Sequence, residues 1–215
     1  QFKIPYVYGL TCGELAKMLN NEGMLTGGVK CNLTVVPMKG WKRDMNFEDT
    51  GLAWVMTSPH IPHKDSPIYY VCSGILGELG VISEGVGYTI PFQTFAAEWI
   101  DAGLMAERMN ALGLEGVLFR PITFKPYYGR DAKKELKGVQ IHITDFHKLN
   151  LMSLQFLFMQ EHHKLYPNKN PFNLAAENRF SMFDKVSGSD EVRKVFYQTM
   201  NYNDIKDFLN KDVEE

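Results

Sequence analysis

The glycine-rich segment from Gly77 to Phe92 constrains the fold of this chain more than any other feature. Glycine tolerates positive φ angles that other residues avoid, so the backbone is expected to bend repeatedly here instead of continuing as a long helix or strand. The segment also carries two carboxylates, Glu78 and Glu84, among leucine, valine and isoleucine neighbours. It therefore predicts an irregular region that presents acidic side chains in apolar surroundings.

These two glutamates are candidates for general acid and base chemistry. A carboxyl group flanked by apolar residues is expected in a poorly solvated position, where burial raises its pKa toward the range of a general acid. A solvated turn carboxylate, or a cap at a helix N-terminus, is the alternative that the sequence leaves open. Glu78 and Glu84 would point about 240° apart on a helix and lie about 20 Å apart on a strand. Only a bend at Gly80, or a carboxylate from elsewhere, could give the ~5 to 9.5 Å separation of glycosidase carboxyl groups.

The rest of the chain alternates between helical and strand patterns. Thr11 and Glu14 form the Thr-x-x-Glu pattern of a capping box, which predicts a helix that ends near Gly23. The β-branched run from Cys31 to Pro37 predicts a buried strand. Beyond the glycine-rich segment, the pattern predicts a helix over 100–112, strands near 116–124 and 138–144, and helices around 151–165, 192–200 and 205–209. This order favours an α/β or α+β fold.

Composition and spacing exclude several functional classes. Lys and Arg total 23 against 25 for Asp and Glu, so the basic excess typical of nucleic-acid binders is absent. No apolar run reaches the ~18 residues that a membrane span needs. The three cysteines are widely spaced, and the His60/His63 and His162/His163 pairs lack further ligands at zinc-site spacing. Nucleotide-binding and nucleophile-elbow motifs are absent, so neither a metal nor a cofactor is predicted.

A second candidate site is the sequence Trp41-Lys42-Arg43. An indole can cover the C–H face of a sugar ring, and arginine can chelate a carboxylate, so the combination suits a sugar with an acidic substituent. A tryptophan that anchors a loop, with its neighbouring cations in solvent, is the alternative that stays open.

Seven motifs in order carry a family resemblance over about residues 3–146. They are Ile4-Pro5 with Gly9 to Ala16, Leu33 to Arg43, Thr50-Gly51-Leu52 with Trp54-Val55, Ser58-Pro59 with Pro62, Ser83-Glu84-Gly85 with Thr89, Pro91-Phe92, and Gly138 to His142 with Thr144-Asp145. Together they resemble the exo-β-N-acetylmuramidase (NamZ-type) family of glycoside hydrolases, formerly a domain-of-unknown-function family.

The resemblance implies both an architecture and an activity. Residues 1–92 would be the C-terminal part of a Rossmann-like subdomain that contains the glutamate motif, and residues 93–215 a smaller mixed α/β subdomain. The implied activity is release of N-acetylmuramic acid from the non-reducing ends of peptidoglycan fragments, in the periplasm or outside the cell. Its implied partners are a peptidoglycan-derived amino sugar and the N-terminal half of the same protein.

Motif positions also imply residue roles. Glu84 would be the acid/base or orienting carboxylate and Glu78 the second acid, with the substrate's own 2-acetamido group as nucleophile. Trp41 and Arg43 would bind the sugar and its lactyl carboxylate. The remaining implied substrate contacts are Ser58, His60, Ser83 and Thr89.

The chain departs from the family pattern at several polar positions, and Gly80-Val81 stand where the family usually has Thr-Asn. Tyr8, His60 and Val86 stand where the family usually has His, Asn and Arg. A non-catalytic amino-sugar-binding module, or an inactive fragment or paralogue, is therefore the alternative function. A structural subdomain that docks onto its partner half through the helix beginning near Leu151 is a third.

Overall fold

The computed structural model describes residues 4–211 and divides into two compact units. The first unit extends to Trp54 and includes Lys211, and the second runs from Val55 to Asn210. Helices and a small sheet are both present, so the predicted α/β class is confirmed. The Rossmann-like assignment and the subdomain boundary at residue 92 stay predictions.

Helix α1, Cys12–Asn21, organises the first unit. The Thr11 hydroxyl accepts a hydrogen bond from Glu14 N at 3.2 Å, and the Glu14 carboxylate accepts one from Thr11 N at 2.7 Å. This reciprocal pair confirms the predicted capping box, and the helix ends beside Gly23, which has a φ of 71°. Two short 3₁₀ turns follow at Thr26–Gly28 and Glu48–Thr50.

The predicted buried strand from Cys31 to Pro37 is wrong. Within residues 4–211, this run makes no strand pairing, and Val36 is 86% exposed. The Asn20 side chain holds its start, donating to Cys31 O at 3.0 Å and accepting from Cys31 N at 2.8 Å. β-Branched residues favour extended backbone, but a strand also needs a paired neighbour. The described part of the chain places none beside this run.

A three-stranded antiparallel sheet lies in the second unit, with the order β1-β3-β2. Its strands are β1, Thr94–Ala97, β2, Val117–Phe124, and β3, Leu136–Ile143. β2 and β3 confirm the predicted strands, whereas the sequence analysis missed β1. A Cβ atom on Gly138 would collide with the carbonyl oxygen of Phe95, so the close approach of β3 to β1 requires glycine there.

Helix α3, Ala102–Asn110, packs against this sheet, and the helices of the second unit enclose the main core. They are α2, Ser66–Gly77, α3, Ala102–Asn110, α4, Ser153–Leu165, α5, Pro171–Leu174, α6, Asn178–Ser187, α7, Glu191–Thr199, and α8, Lys206–Leu209. The core contains fully buried phenylalanines at positions Phe95, Phe156, Phe158, Phe172, Phe183 and Phe196. Helices α2 and α4 are joined by Gln155, which accepts from Leu76 N at 2.9 Å and donates to Val71 O at 3.1 Å. None of the helices in residues 4–211 is long and apolar enough to cross a membrane.

Candidate active site

The predicted acidic region is a bent loop, residues 78–93, that connects α2 to β1; we call it the glutamate loop. Gly80, Gly85 and Gly87 have φ angles of 71°, 95° and 95°, values that residues with a side chain rarely adopt. A Cβ atom on Gly85 would lie 2.5 Å from the carbonyl oxygen of Ile90. The glycines thus allow the tight path that the sequence indicated, including the bend at Gly80.

Ser83 fixes the loop to the sheet. Its N–H donates to Ala96 O at 2.7 Å, and its carbonyl oxygen accepts from Ala96 N at 3.0 Å and from the Thr94 hydroxyl at 3.2 Å. The buried Ser83 hydroxyl accepts a hydrogen bond from Gly85 N at 3.3 Å. Ser83 and Gly85 flank Glu84. Because Ser83 is hydrogen-bonded to β1 and Gly85 N to the Ser83 hydroxyl, β1 sets the direction of the backbone at Glu84.

The Glu84 side chain points inward and is only 15% exposed. Its carboxyl group packs against the end of α2, where a Cβ atom on Gly77 would lie 2.8 Å from Glu84 Cδ. Glu84 Oε2 is buried and has no hydrogen-bond partner in the described part of the chain. Burial raises the pKa of Glu84 above its usual value; Arg130 opposes the rise, and the charges of Asp131 and Glu78 add to it. A raised carboxyl pKa is the direction that general acid catalysis requires.

Arg130 is the cation nearest to the Glu84 carboxyl, with Nη2 3.7 Å from Oε2. It comes from the loop between β2 and β3, residues 125–135, and its main partner is the adjacent Asp131 at 2.9 Å. It also donates to Ile82 O at 3.2 Å. Arg130 is therefore tied to the glutamate loop as well as to its own loop.

Glu78 has its own arginine. Arg179 of α6 lies with Nη2 3.5 Å from Glu78 Oε2. A Cβ atom on Gly80 would lie 3.4 Å from both Arg130 Nη1 and Arg179 Nε, so both guanidinium groups cover the bend. The structure thus gathers the two predicted glutamates with two arginines. Sequence reasoning missed both arginines, because their distance along the chain gave no signal.

The remaining predicted substrate contacts of the second unit have different surroundings. Thr89 is exposed on the glutamate loop. The Ser58 hydroxyl accepts a hydrogen bond from His60 N at 3.2 Å. The His60 ring stacks on Tyr128, with the ring planes 15° apart and the centroids 6.2 Å apart. Tyr128 belongs to the same loop as Arg130, so His60 contacts the loop that carries Arg130.

Exposed aromatic rings on the β2–β3 loop were also missed. Tyr127 is 74% exposed and stacks on Tyr88 of the glutamate loop, with centroids 5.6 Å apart. Its backbone N–H donates to Gly87 O at 2.7 Å, which joins the two loops. Flat, exposed rings of this kind can pack against the C–H face of a sugar.

The tryptophan–arginine candidate forms within the first unit. The Arg43 guanidinium lies 5.6 Å from the centroid of the Trp41 ring. Its Nη2 atom lies 2.6 Å from Glu14 Oε1, and its Nη1 donates to Gly9 O. A hydrogen bond from the Thr11 backbone, together with Arg43, lowers the pKa of Glu14.

The described residues contain no group of three or more His, Cys, Asp or Glu side chains that could hold a metal ion. His162 is fully buried, and its Nε2 accepts a hydrogen bond from Trp99 Nε1 at 3.0 Å. Burial lowers the pKa of His162 to about 4, which keeps the ring neutral. The arrangement fits a packing role in the core.

Comparisons with known proteins identify the family of this chain. The family model described as "Exo-beta-N-acetylmuramidase NamZ, C-terminal" matches residues 68–215, and the corresponding N-terminal model matches residues 1–65. The peptidoglycan beta-N-acetylmuramidase NamZ of Bacillus subtilis (strain 168) is 35% identical over 192 residues, which are 89% of this chain and 44% of that protein.

A solved structure gives the same result for the fold. The crystal structure of a DUF1343 family protein from Bacteroides fragilis NCTC 9343 is 55% identical, with a TM-score of 0.95 over all of this chain and 55% of that chain. The chain therefore spans about half the length of these relatives. Since the C-terminal model alone matches more than half of its residues, the chain belongs to the NamZ exo-β-N-acetylmuramidase family.

Proposed function

We propose that this chain supplies the acid/base carboxylate of a glycosidase that releases N-acetylmuramic acid from the non-reducing ends of peptidoglycan fragments, in the periplasm or outside the cell. The observation that carries the proposal is the Glu84 carboxyl group, buried against Gly77 with one oxygen that makes no hydrogen bond to the described residues. The name of the Bacillus subtilis relative supports the substrate class.

Glu84 would act twice in a substrate-assisted reaction. The protonated carboxyl group first gives its proton to the glycosidic oxygen, while the carbonyl oxygen of the substrate's 2-acetamido group attacks C1 and expels the leaving group. The Glu84 carboxylate then takes a proton from a water molecule that attacks C1 and reopens the ring formed by the acetamido group. Each displacement inverts the configuration at C1, so the two in succession leave the product with the anomeric configuration of the substrate.

The other predicted residues would hold the sugar. Glu78, held by Arg179, would provide the second carboxylate and favour the positive charge that develops on the sugar during bond cleavage. Trp41 and Arg43 would contact the ring and the lactyl carboxylate. Ser58, His60 and Thr89 would contact the substrate, whereas Ser83, with its hydroxyl buried, would contribute by holding the loop.

The test is turnover of a chromogenic N-acetylmuramide by the protein as naturally encoded, with and without Glu84→Gln. Loss of general acid catalysis should lower kcat by about 10²- to 10⁴-fold without loss of folding. Glu107→Gln, a change at an exposed position on α3, is the matched control and should leave kcat unchanged. Full activity in the Glu84 variant would remove this residue from the mechanism.

A non-catalytic amino-sugar-binding module is the second candidate. It is favoured by Val86, which stands where the family usually has an arginine, and by the exposed ring of Tyr127. In that case the protein would bind muropeptides but would not cleave the N-acetylmuramide at any pH. Calorimetric titration alongside the turnover assay separates the two candidates.

A further inference from the structure

Arg130 has three acceptors around its guanidinium group, and they are at unequal distances. Its Nε and Nη2 atoms both lie 2.9 Å from Asp131 Oδ2, and Nη2 also lies 3.2 Å from Ile82 O. Glu84 Oε2 lies 3.7 Å away, beyond hydrogen-bond distance. Charge-assisted hydrogen bonds form at about 2.7–2.9 Å, so Asp131, not Glu84, is the anion that engages this arginine.

Asp131 is itself held in place. Its side chain is largely buried, at 13% exposed, and its other oxygen, Oδ1, lies 3.5 Å from Lys134 Nζ. Lys134 also reaches Glu98, at 3.6 Å. The Asp131 carboxylate is therefore fixed from two sides and keeps Arg130 directed onto itself.

Other carboxylates lie closer than Glu84 to the arginines of this cluster. From the β2–β3 loop, Arg130 is paired with Asp131; from the end of α2, Glu78 is paired with Arg179 of α6. Glu84 is the third carboxyl group of this cluster, and Arg130, the arginine beside it, is hydrogen-bonded to Asp131. Because Arg130 lies beyond hydrogen-bond distance of Glu84 and two anions lie nearby, the ionised form of Glu84 receives little stabilisation from these side chains.

We propose that Asp131 is a positioning residue that holds the Arg130 guanidinium away from the Glu84 carboxyl group and so favours the acid form of that group. The proposal rests on the proposed function, in which Glu84 acts as the acid. Without Asp131, the Arg130 side chain would be free to close the 3.7 Å gap and form an ion pair with Glu84.

The experiment is titration of the Glu84 carboxyl carbon by NMR in protein labelled with ¹³C-glutamate, with no substrate present. The signal is assigned by its disappearance in Glu84→Gln. Asp131→Asn should lower the Glu84 titration midpoint by about one pH unit, as expected for a carboxyl group that acquires an arginine partner. An unchanged or higher midpoint would overturn the proposal.

A double-mutant cycle shows whether Asp131 acts through Arg130. In an Arg130→Gln background, Asp131→Asn should lower the Glu84 titration midpoint much less than it does in the wild-type background. An equal shift in both backgrounds would mean that Asp131 acts through its own charge alone, which contradicts a positioning role. Asp131→Glu should restore most of the midpoint. Asp184→Asn, which removes the carboxylate 2.7 Å from Arg193, is the matched control and should leave Glu84 unchanged.

Kinetics then distinguish this inference from the proposed function. If protonated Glu84 is the acid, Asp131→Asn should move the alkaline limb of the kcat/KM profile to lower pH by the same amount as the NMR midpoint. If the NMR midpoint shifts but Glu84→Gln keeps full turnover, the proposed function fails and the positioning role of Asp131 stands.

Discussion

Arg43, taken as a single residue, already has a carboxylate partner, so its guanidinium group can take a carboxylate as a ligand. Its side chain is 55% exposed and the Glu14 side chain is 42% exposed. Exposed ion pairs of this type contribute little to stability, because water and salt compete with them. A substrate carboxylate could therefore replace Glu14 on this guanidinium group at small cost.

We expect Arg43→Gln to weaken recognition of the acidic substituent and nothing else. KM for an N-acetylmuramide should rise about tenfold, the effect of losing one charge-assisted hydrogen bond, while KM for the matching N-acetylglucosaminide, which lacks the lactyl carboxyl group, stays unchanged. Steady-state kinetics on the two substrates measures the difference. Helix α1 should be unaffected, because Glu14 keeps its bond from Thr11 N. An equal rise for both sugars would show that Arg43 does not read the carboxylate.

At the scale of the element, the sequence predicted what depends on neighbours along the chain. The capping box of α1, the periodic helices α3 and α4, and strands β2 and β3 follow from local pattern. The four-residue strand β1 was missed because all of its residues are buried and its run shows no alternation. The strand predicted from Cys31 to Pro37 was wrong for the opposite reason, since the residue pattern is strand-like but strand pairing is a non-local property.

The same distinction between local and non-local features applies to the glutamate loop. The bends at its glycines were predictable, because positive φ is a property of the residue itself. The environment of Glu84 was not, because Arg130 and Asp131 reach it from another loop, and Arg179 comes from a helix about a hundred residues further along. Contacts of this kind arise from tertiary folding and leave no local signal.

The end of α2 offers a test of how one element positions the side chain of Glu84, the proposed catalytic residue. Gly77→Ala should favour the helix slightly, since alanine has a higher helix propensity by up to ~1 kcal/mol. Its Cβ atom, however, would lie 2.8 Å from Glu84 Cδ and 2.9 Å from Oε2, so the carboxyl group must move.

We expect a nearly unchanged melting temperature for Gly77→Ala, together with a loss of kcat of about a hundredfold, as for a catalytic group displaced by about 1 Å. Gly103→Ala in α3 is the matched control, because its Cβ would meet only Asp101 Oδ1 at an ordinary 3.5 Å. Calorimetry and the N-acetylmuramide assay on both variants are the measurements. If Gly77→Ala keeps the wild-type kcat, catalysis does not depend on the observed position of the Glu84 carboxyl group.

At the scale of the whole molecule, the fully buried phenylalanines among the described residues all lie in the second unit, and the titratable side chain of His162 lies among them. His162 of α4 is fully buried between the rings of Phe158 and Tyr166, with Trp99 donating to its Nε2 atom. Burial lowers its pKa from the model-compound value of 6.5 to about 4. The unfolded chain therefore binds a proton at a pH where the folded protein does not.

This difference predicts how folding responds to acid. The contribution of neutral His162 is complete above about pH 6.5 and is lost as the pH falls toward 4, at a cost of at most about 3 kcal/mol. His162→Gln can still accept from Trp99, so it should be less stable at pH 7 but should lose less free energy of unfolding between pH 6.5 and 4. Urea titrations at several pH values measure this, with His147→Gln at an exposed position as the control that keeps the wild-type slope. If His162→Gln and wild type lose stability in parallel over this range, another group governs acid unfolding, and the buried imidazole is not the proton-linked site.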